Sequence, residues 1–270
     1  MSVKLEEIND SELTVKKVAT VAPVAQDPMM GFFPITDLPS KYKLYPEGTV
    51  IYGRPMRVLE VKQLSMMGED NSFSIVNNII RSCVRGMRVE DILQADKMYI
   101  LFWLRANTYK DPGYTVDFDC TKCNQPSKYY FNLDVLNIEY IKDENIEQLP
   151  IVLPINGDKV LLHYQTIGDS IEIENLKAKT LGNKLVEYDD DILSLASSIL
   201  TVNEKVMTLE QKYKYITSLD AGDYAFLETE NGEKEIGIST YIKVKCDKCG
   251  EISPAGLSFR SEFFIPKYKK

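Results

Sequence analysis

Hydrophobic and polar positions alternate between two periods along this chain, and the changes of period mark its elements. From Ser72, Phe73, Val76, Ile79, Ile80 and Cys83 recur at spacings of three and four. That is the stripe of an amphipathic helix with a serine able to cap it, stopped by Arg85-Gly86-Met87. A second helix is predicted from Ala95 or Asp96 through Met98, Ile100, Leu101, Phe102, Trp103 and Leu104 to Tyr109, where Lys110-Asp111-Pro112-Gly113 ends it. It is apolar over much of its circumference, which predicts a central, buried helix with Cys83 of its neighbour in the same core. Arg105, near its end, is expected to pair with Asp91 or Asp96.

The period then shortens to two. Tyr114-Thr115-Val116-Asp117-Phe118-Asp119 alternates, as does Tyr241-Ile242-Lys243-Val244-Lys245, and a return strand is predicted over Lys128 to Leu133. Another hairpin is read in Leu153 to Tyr164, turning at Asn156-Gly157. Residues 169 to about 232 read as mainly helical. Helices are predicted around Ile171 to Leu176, over Ile192 to Leu200 after Asp189-Asp190-Asp191, and over Lys212 to Leu219 behind a capping box, Thr208-Leu209-Glu210-Gln211. The chain restarts at Asp220-Ala221-Gly222-Asp223 and runs toward Leu227 and Asn231-Gly232.

The first 30 residues mix charge with Val, Ala and Pro without a helical period and read as a mobile or partner-ordered tail. Residues 31–64 carry Pro34, Pro39, Pro46 and Pro55 among Phe32, Phe33, Tyr42, Tyr45, Ile51 and Tyr52, which predicts an extended arm. Such an arm either packs on its own domain or lies across a neighbour. The main domain is expected over 65–266, and 267–270 form a basic tail. The expected fold class is α+β: an extended N-terminal arm, a helical layer, two bridged β-hairpins and a helical insertion at about 169–232.

The bridge is the strongest chemical signal. Cys120/Cys123 and Cys246/Cys249 are Cys-x-x-Cys pairs in a chain with one further cysteine and a single histidine. Each pair lies between alternating stretches. Four thiolates from two tight loops close a tetrahedral shell, which is the ligand set of structural Zn2+. Gly250 after the second pair, and Asn124 after the first, suit the positive φ that such a knuckle needs. A disulfide pairing, or simple burial as thiols, is the plainer alternative. A thioredoxin-like redox motif opens a helix after a strand, whereas both pairs here join strand to strand.

Composition narrows the classes. A chain of 270 residues, 44% of them apolar, has the material for a sizeable core. No signal peptide is read at the charged N-terminus and no apolar run approaches the ~18 residues of a membrane span. With its unpaired-looking thiols, the protein is expected in a reducing cytoplasm. A net charge of −8 argues against a general nucleic-acid binder. His163, on a strand face beside Leu162 and Tyr164, reads as structural. Asp189 to Asp191 are explained by the dipole of the helix they precede. No Gly-rich phosphate loop, Gly-x-Ser-x-Gly elbow or His/Glu protease pattern is present, so no catalytic residues are assigned.

Residues in order carry a resemblance. Leu38-Pro39-Ser40, Arg54-Pro55 and Glu60-Val61-Lys62 precede Ala95-Asp96 and Phe102-Trp103-Leu104-Arg105-Ala106-Asn107-Thr108-Tyr109. Then come Cys120-x-x-Cys123, Leu153-Pro154, Cys246-x-x-Cys249-Gly250, Leu257-Ser258-Phe259 and Phe263-Phe264-Ile265-Pro266. Over residues 36 to 266 this order resembles the baseplate hub assembly proteins of T-even-type contractile-tailed bacteriophages. The resemblance implies a non-enzymatic protein of viral tail assembly, present in the host cytoplasm during assembly and either a transient chaperone or a virion component. Its partners would be tail or baseplate hub proteins, without a small-molecule substrate or a membrane. The alternatives are a zinc-ribbon protein of transcription or nucleic-acid handling, with Lys243, Lys245 and Lys248 as its basic patch, and a thiol oxidoreductase.

Overall fold

Prolines keep the first stretch out of long regular elements, and what forms instead is strand β1 (Phe33–Pro34) and strand β2 (Tyr52–Gly53). In the computed structural model, residues 30–109, 113–131, 136–180, 187–232, 236–239, 241–257 and 261–265 are described. The tail read at 1–30, apart from Met30, and the tail at 267–270 lie outside them. Helices α1 (Val58–Ser65) and α2 (Ser72–Cys83) follow, and β3 (Val84–Arg85) completes an antiparallel sheet in the order β1-β2-β3.

The 31–64 segment packs on its own domain, with Ile35, Leu38, Ile51 and Leu64 fully buried. It is not extended to its end. Past Pro55 the Glu60 carboxylate accepts from the Arg57 amide at 2.7 Å and pairs with Arg54 at 2.7 Å, and this local cap starts α1.

Helix α3 (Gln94–Thr108) is central as expected: Ile100, Leu101, Phe102 and Leu104 all enter the main core. Of its three buried charged residues, Asp96, Lys97 and Arg105, the first and last are held differently from the expectation. Asp96 accepts from the Ser40 amide at 3.0 Å, the Ser40 hydroxyl at 2.6 Å and the Tyr45 hydroxyl at 2.7 Å, so it anchors the N-terminal segment. Arg105 pairs with neither Asp96 nor Asp91, whose carboxylate is taken by Arg88 at 2.7 Å. Instead Arg105, 1% exposed, donates to the backbone carbonyls of Gly113, at 2.7 Å, and of Phe263. Carbonyls fixed by the fold accept hydrogen bonds from a buried guanidinium.

Beyond α3 come the hairpin β4 (Tyr114–Asp119) and β5 (Pro126–Phe131), and then β6 (Ile138–Glu139). A second body is inserted here. It contains β7 (Ile151–Val152), β8 (Lys159–Leu162), α4 (Ile167–Thr180), α5 (Asp190–Ser198), β9 (Ile199–Val202), α6 (Leu209–Thr217) and α7 (Ala221–Gly232). Strands β7-β8-β9 form an antiparallel sheet, and Leu153, Val160, Leu162, Leu193, Ile199, Leu209, Ile216 and Leu227 bury one another in a second core.

The insertion is therefore wider than the helical stretch read from about 169, because the 151–162 hairpin belongs to the same core. Ile199 and Leu200 leave the helix predicted for them, since the β-branched Ile199 pairs with Leu162 as the edge of that sheet. The Thr208/Gln211 capping box forms, with the Gln211 side chain accepting from the Thr208 amide at 2.9 Å.

The chain returns through β10 (Gly237–Ile238), which pairs with β6, and enters the hairpin β11 (Tyr241–Lys245) and β12 (Ile252–Gly256) before α8 (Ser261–Phe264). The fold is thus a mixture of helices and small antiparallel sheets around two cores. No helix among the described residues is long and apolar enough to cross a membrane.

Arg105 links three parts of the chain, which gives a direct test. Arg105→Leu is expected to orphan two buried carbonyls and lower unfolding free energy by about 3 kcal/mol or more. Urea denaturation measures this, and a loss under ~1 kcal/mol would contradict the role assigned to these bonds.

Candidate metal centre

Each cysteine pair sits in the turn that its hairpin register dictates. In the first hairpin Asp119 pairs with Pro126, so the chain must reverse within residues 120–125. Cys120 donates its amide to Gln125 O at 3.1 Å, and Asn124 donates to Cys120 O at 2.9 Å. The second hairpin repeats the device: Lys245 pairs with Ile252, Cys246 donates to Glu251 O at 2.8 Å, and Gly250 donates to Cys246 O at 2.9 Å. Asn124 has φ +49° and Gly250 φ +74°, as knuckle geometry requires of the residue after the second cysteine.

The inner faces of both hairpins feed the main core through Val116, Phe118, Val244, Ala255 and Leu257, and β12 packs against β4. This brings the two turns together. The four sulfurs lie within 4.8 Å of one another. Cys120 and Cys249 Sγ are 3.5 Å apart, and Cys123 and Cys246 Sγ 3.7 Å. A covalent disulfide would need about 2.05 Å, and all the cysteines are free thiols. A tetrahedron with metal–sulfur bonds of about 2.3 Å has sulfur–sulfur edges of about 3.8 Å. The separations fit that shape, so Cys120, Cys123, Cys246 and Cys249 could hold a soft tetrahedral cation.

Electrostatics point the same way. The backbone amides of Cys123 and Lys122 aim at the Cys120 sulfur and lower its thiol to about 6. At Cys249 the Glu251 amide also pulls downward, but desolvation and the neighbouring thiols of Cys120, Cys123 and Cys246 push it up to about 12. The sulfurs compete for one another's protons, and four adjacent thiolates become compatible only around a positive ion. Cys120 and Cys246 are buried while Cys249 is exposed, so the centre lies at the rim of the core.

One residue of this centre had no signal in the cysteine spacing. Ser253, fully buried on β12, accepts from the Thr121 amide at 3.1 Å and lies 3.9 Å from Cys120 Sγ. It stitches the second hairpin to the first turn. Its inward place in the alternation of β12 was readable, but its partner was not. Lys122 with Glu251, at 3.7 Å, and Lys248 with Gln125, at 3.4 Å, add exposed crossings between the two turns.

The other candidates read from the sequence resolve into structure. Asp189 caps α5 by accepting from the amides of Asp191 and Ile192, each at 3.0 Å, and Asp190 pairs with Lys177 at 2.5 Å. His163 Nε2 donates to Ser197 O at 2.8 Å, and its backbone amide donates to Ser198 O at 2.8 Å. Cys83 is buried in the main core, and burial pushes its thiol up to about 11, away from reactivity. Among the described residues, only the four cysteines bring three or more potential metal ligands together.

Compared with models of known protein families, residues 33–265 match the family described as T4 bacteriophage base plate protein. The matched span contains both cysteine pairs. No curated protein and no solved structure matches the chain.

Cys123→Ser or Cys246→Ser is expected to abolish stoichiometric metal and lower the melting temperature by on the order of 10 °C. Elemental analysis and calorimetry check this, and unchanged metal and stability would refute the centre. Acid should release metal as well. The Cys120 thiol is held at about 6 against an ordinary 9.0, so its contribution is complete above pH 9 and is lost as pH falls toward 6.

Proposed function

The chain belongs to the T4 bacteriophage base plate protein family, and from that premise we propose that it acts without catalysis at the central hub of the baseplate. It serves there as a hub assembly factor or as a hub-associated component that binds other tail proteins while the tail is built. The observation that carries this reading is the family match over residues 33–265, which takes in the main core, the insertion and both knuckles. Assembly takes place in the host cytoplasm, and as a hub-associated component the chain would sit in the baseplate of the finished particle.

We further propose Zn2+ as the ion of the four-cysteine centre. A sulfur-only, tetrahedral donor set is that of structural zinc, and with four protein ligands no position remains for a substrate or an activated water. The metal supplies cross-linking and no reaction step. This chain's own residues do the rest: the Cys123 and Lys122 amides favour the thiolate at Cys120, Ser253 links the two turns, and β4 and β12 carry that spacing into the core.

The test is affinity capture of the tagged full-length chain from infected cells, with hub and tail-tube subunits quantified by mass spectrometry. Enrichment of those subunits supports the hub role. Recovery of nucleic acid in a salt-sensitive complex would favour a zinc-ribbon reading through Lys243, Lys245 and Lys248 instead. Trapping of a mixed disulfide with a redox partner would favour a thiol oxidoreductase.

A further inference from the structure

Lys97 stands on the first turn of α3 with its residue only 9% exposed. Among the described residues no carboxylate pairs with it and no acceptor takes its protons. Its one contact of that kind is with the face of Phe73, Nζ lying 5.1 Å from the ring centroid. A ring face compensates an ammonium only in part for lost hydration, and the N-terminal end of a helix repels a cation. Burial lowers the Lys97 ammonium to about 8, so at neutral pH it is still mostly charged.

A second unsatisfied group lies on the same pair of helices. Asn77, one turn beyond Phe73 on α2 and 4% exposed, has a buried side-chain oxygen without a hydrogen-bond partner. An amide can be turned end for end, which presents a donor in place of that oxygen. Both side chains then offer N–H groups, and Phe73 supplies an apolar wall. Phe73 is half-buried, and Ser74 and Asn78 beside it are exposed, so the seam opens to the surface.

We propose that the α2–α3 seam receives an acidic side chain of a partner tail protein, its carboxylate accepting hydrogen bonds from Lys97 Nζ and Asn77 Nδ2 against the Phe73 ring. The inference rests on the baseplate role proposed above. Complementarity of charge selects the occupant: a buried cation lacking a counter-charge among the described residues is stabilised by an anion and destabilised by an apolar or basic group. In the isolated protein, lysine at this position is less stable than an apolar residue of similar length. In the assembly that order is reversed.

The experiment compares wild type with Lys97→Met in the full chain. Isolated Lys97→Met is expected to melt a few degrees higher, because an uncompensated charge is removed. In infected cells its co-recovery with hub subunits is expected to fall about tenfold or more, since a docked carboxylate would lose its partner. Co-recovery equal to wild type overturns the proposal. So does a lower melting temperature, which would mark Lys97 as part of the fold's own framework. If wild type itself fails to bring hub or tail subunits down, the baseplate role fails first and takes this inference with it.

Discussion

Four cysteine sulfurs within 4.8 Å of one another are the constraint around which the main body is arranged. They can all be charged only around a cation, and they come from turns that are distant in sequence. Bringing them together closes the whole insertion as a loop, and that loop's two ends are also paired by β6 and β10. Closing so long a loop costs several kcal/mol of chain entropy, which a metal bound there, contributing on the order of 10 kcal/mol, would exceed. With the loop closed in that way, the insertion would build its own core without loosening the body that carries it.

Arg105 sets a second, purely protein constraint. Its guanidinium is fully buried and donates to the carbonyls of Gly113 and Phe263. Phe263 in turn meets Phe102 and Tyr114 edge-on, at ring separations of 5.0 and 5.1 Å. The central helix, the start of the first hairpin and the C-terminal aromatic pair are thus held at one point. Asp96 does the same at the other end of α3, gathering Ser40 and Tyr45 of the N-terminal segment. The apolar length of this helix gives the core its volume; Asp96 and Arg105 fix which segments lie against it.

Much of this was legible. Helices at α2, α3 and α6, the Asn156-Gly157 turn and both knuckles follow from local rules, since capping, hydrophobic period and tolerance of positive φ act within a few residues. Errors came where a distant partner decided. Ile199 and Leu200 continue a helical pattern but are claimed by β8 as a sheet edge. The 31–64 segment was open between its own domain and a neighbour until Ile35, Leu38 and Ile51 were seen in the main core. Arg105 has two acidic residues close by in sequence, yet Asp91 is held by Arg88 and Asp96 by Ser40 and Tyr45.

The amino-acid sequence by itself determined the chemistry of the four-cysteine set, the course of the strongly periodic elements and the motifs that mark the chain as a phage baseplate protein. Tertiary structure alone decided how the two knuckles are carried together, that Ser253 couples them, and that Lys97 and Asn77 are buried with no hydrogen-bonding or ionic partner among the described residues. The division has one physical reason. Spacing, caps and turn residues act along the chain, whereas the burial and pairing of a polar group depend on segments that only folding brings beside it.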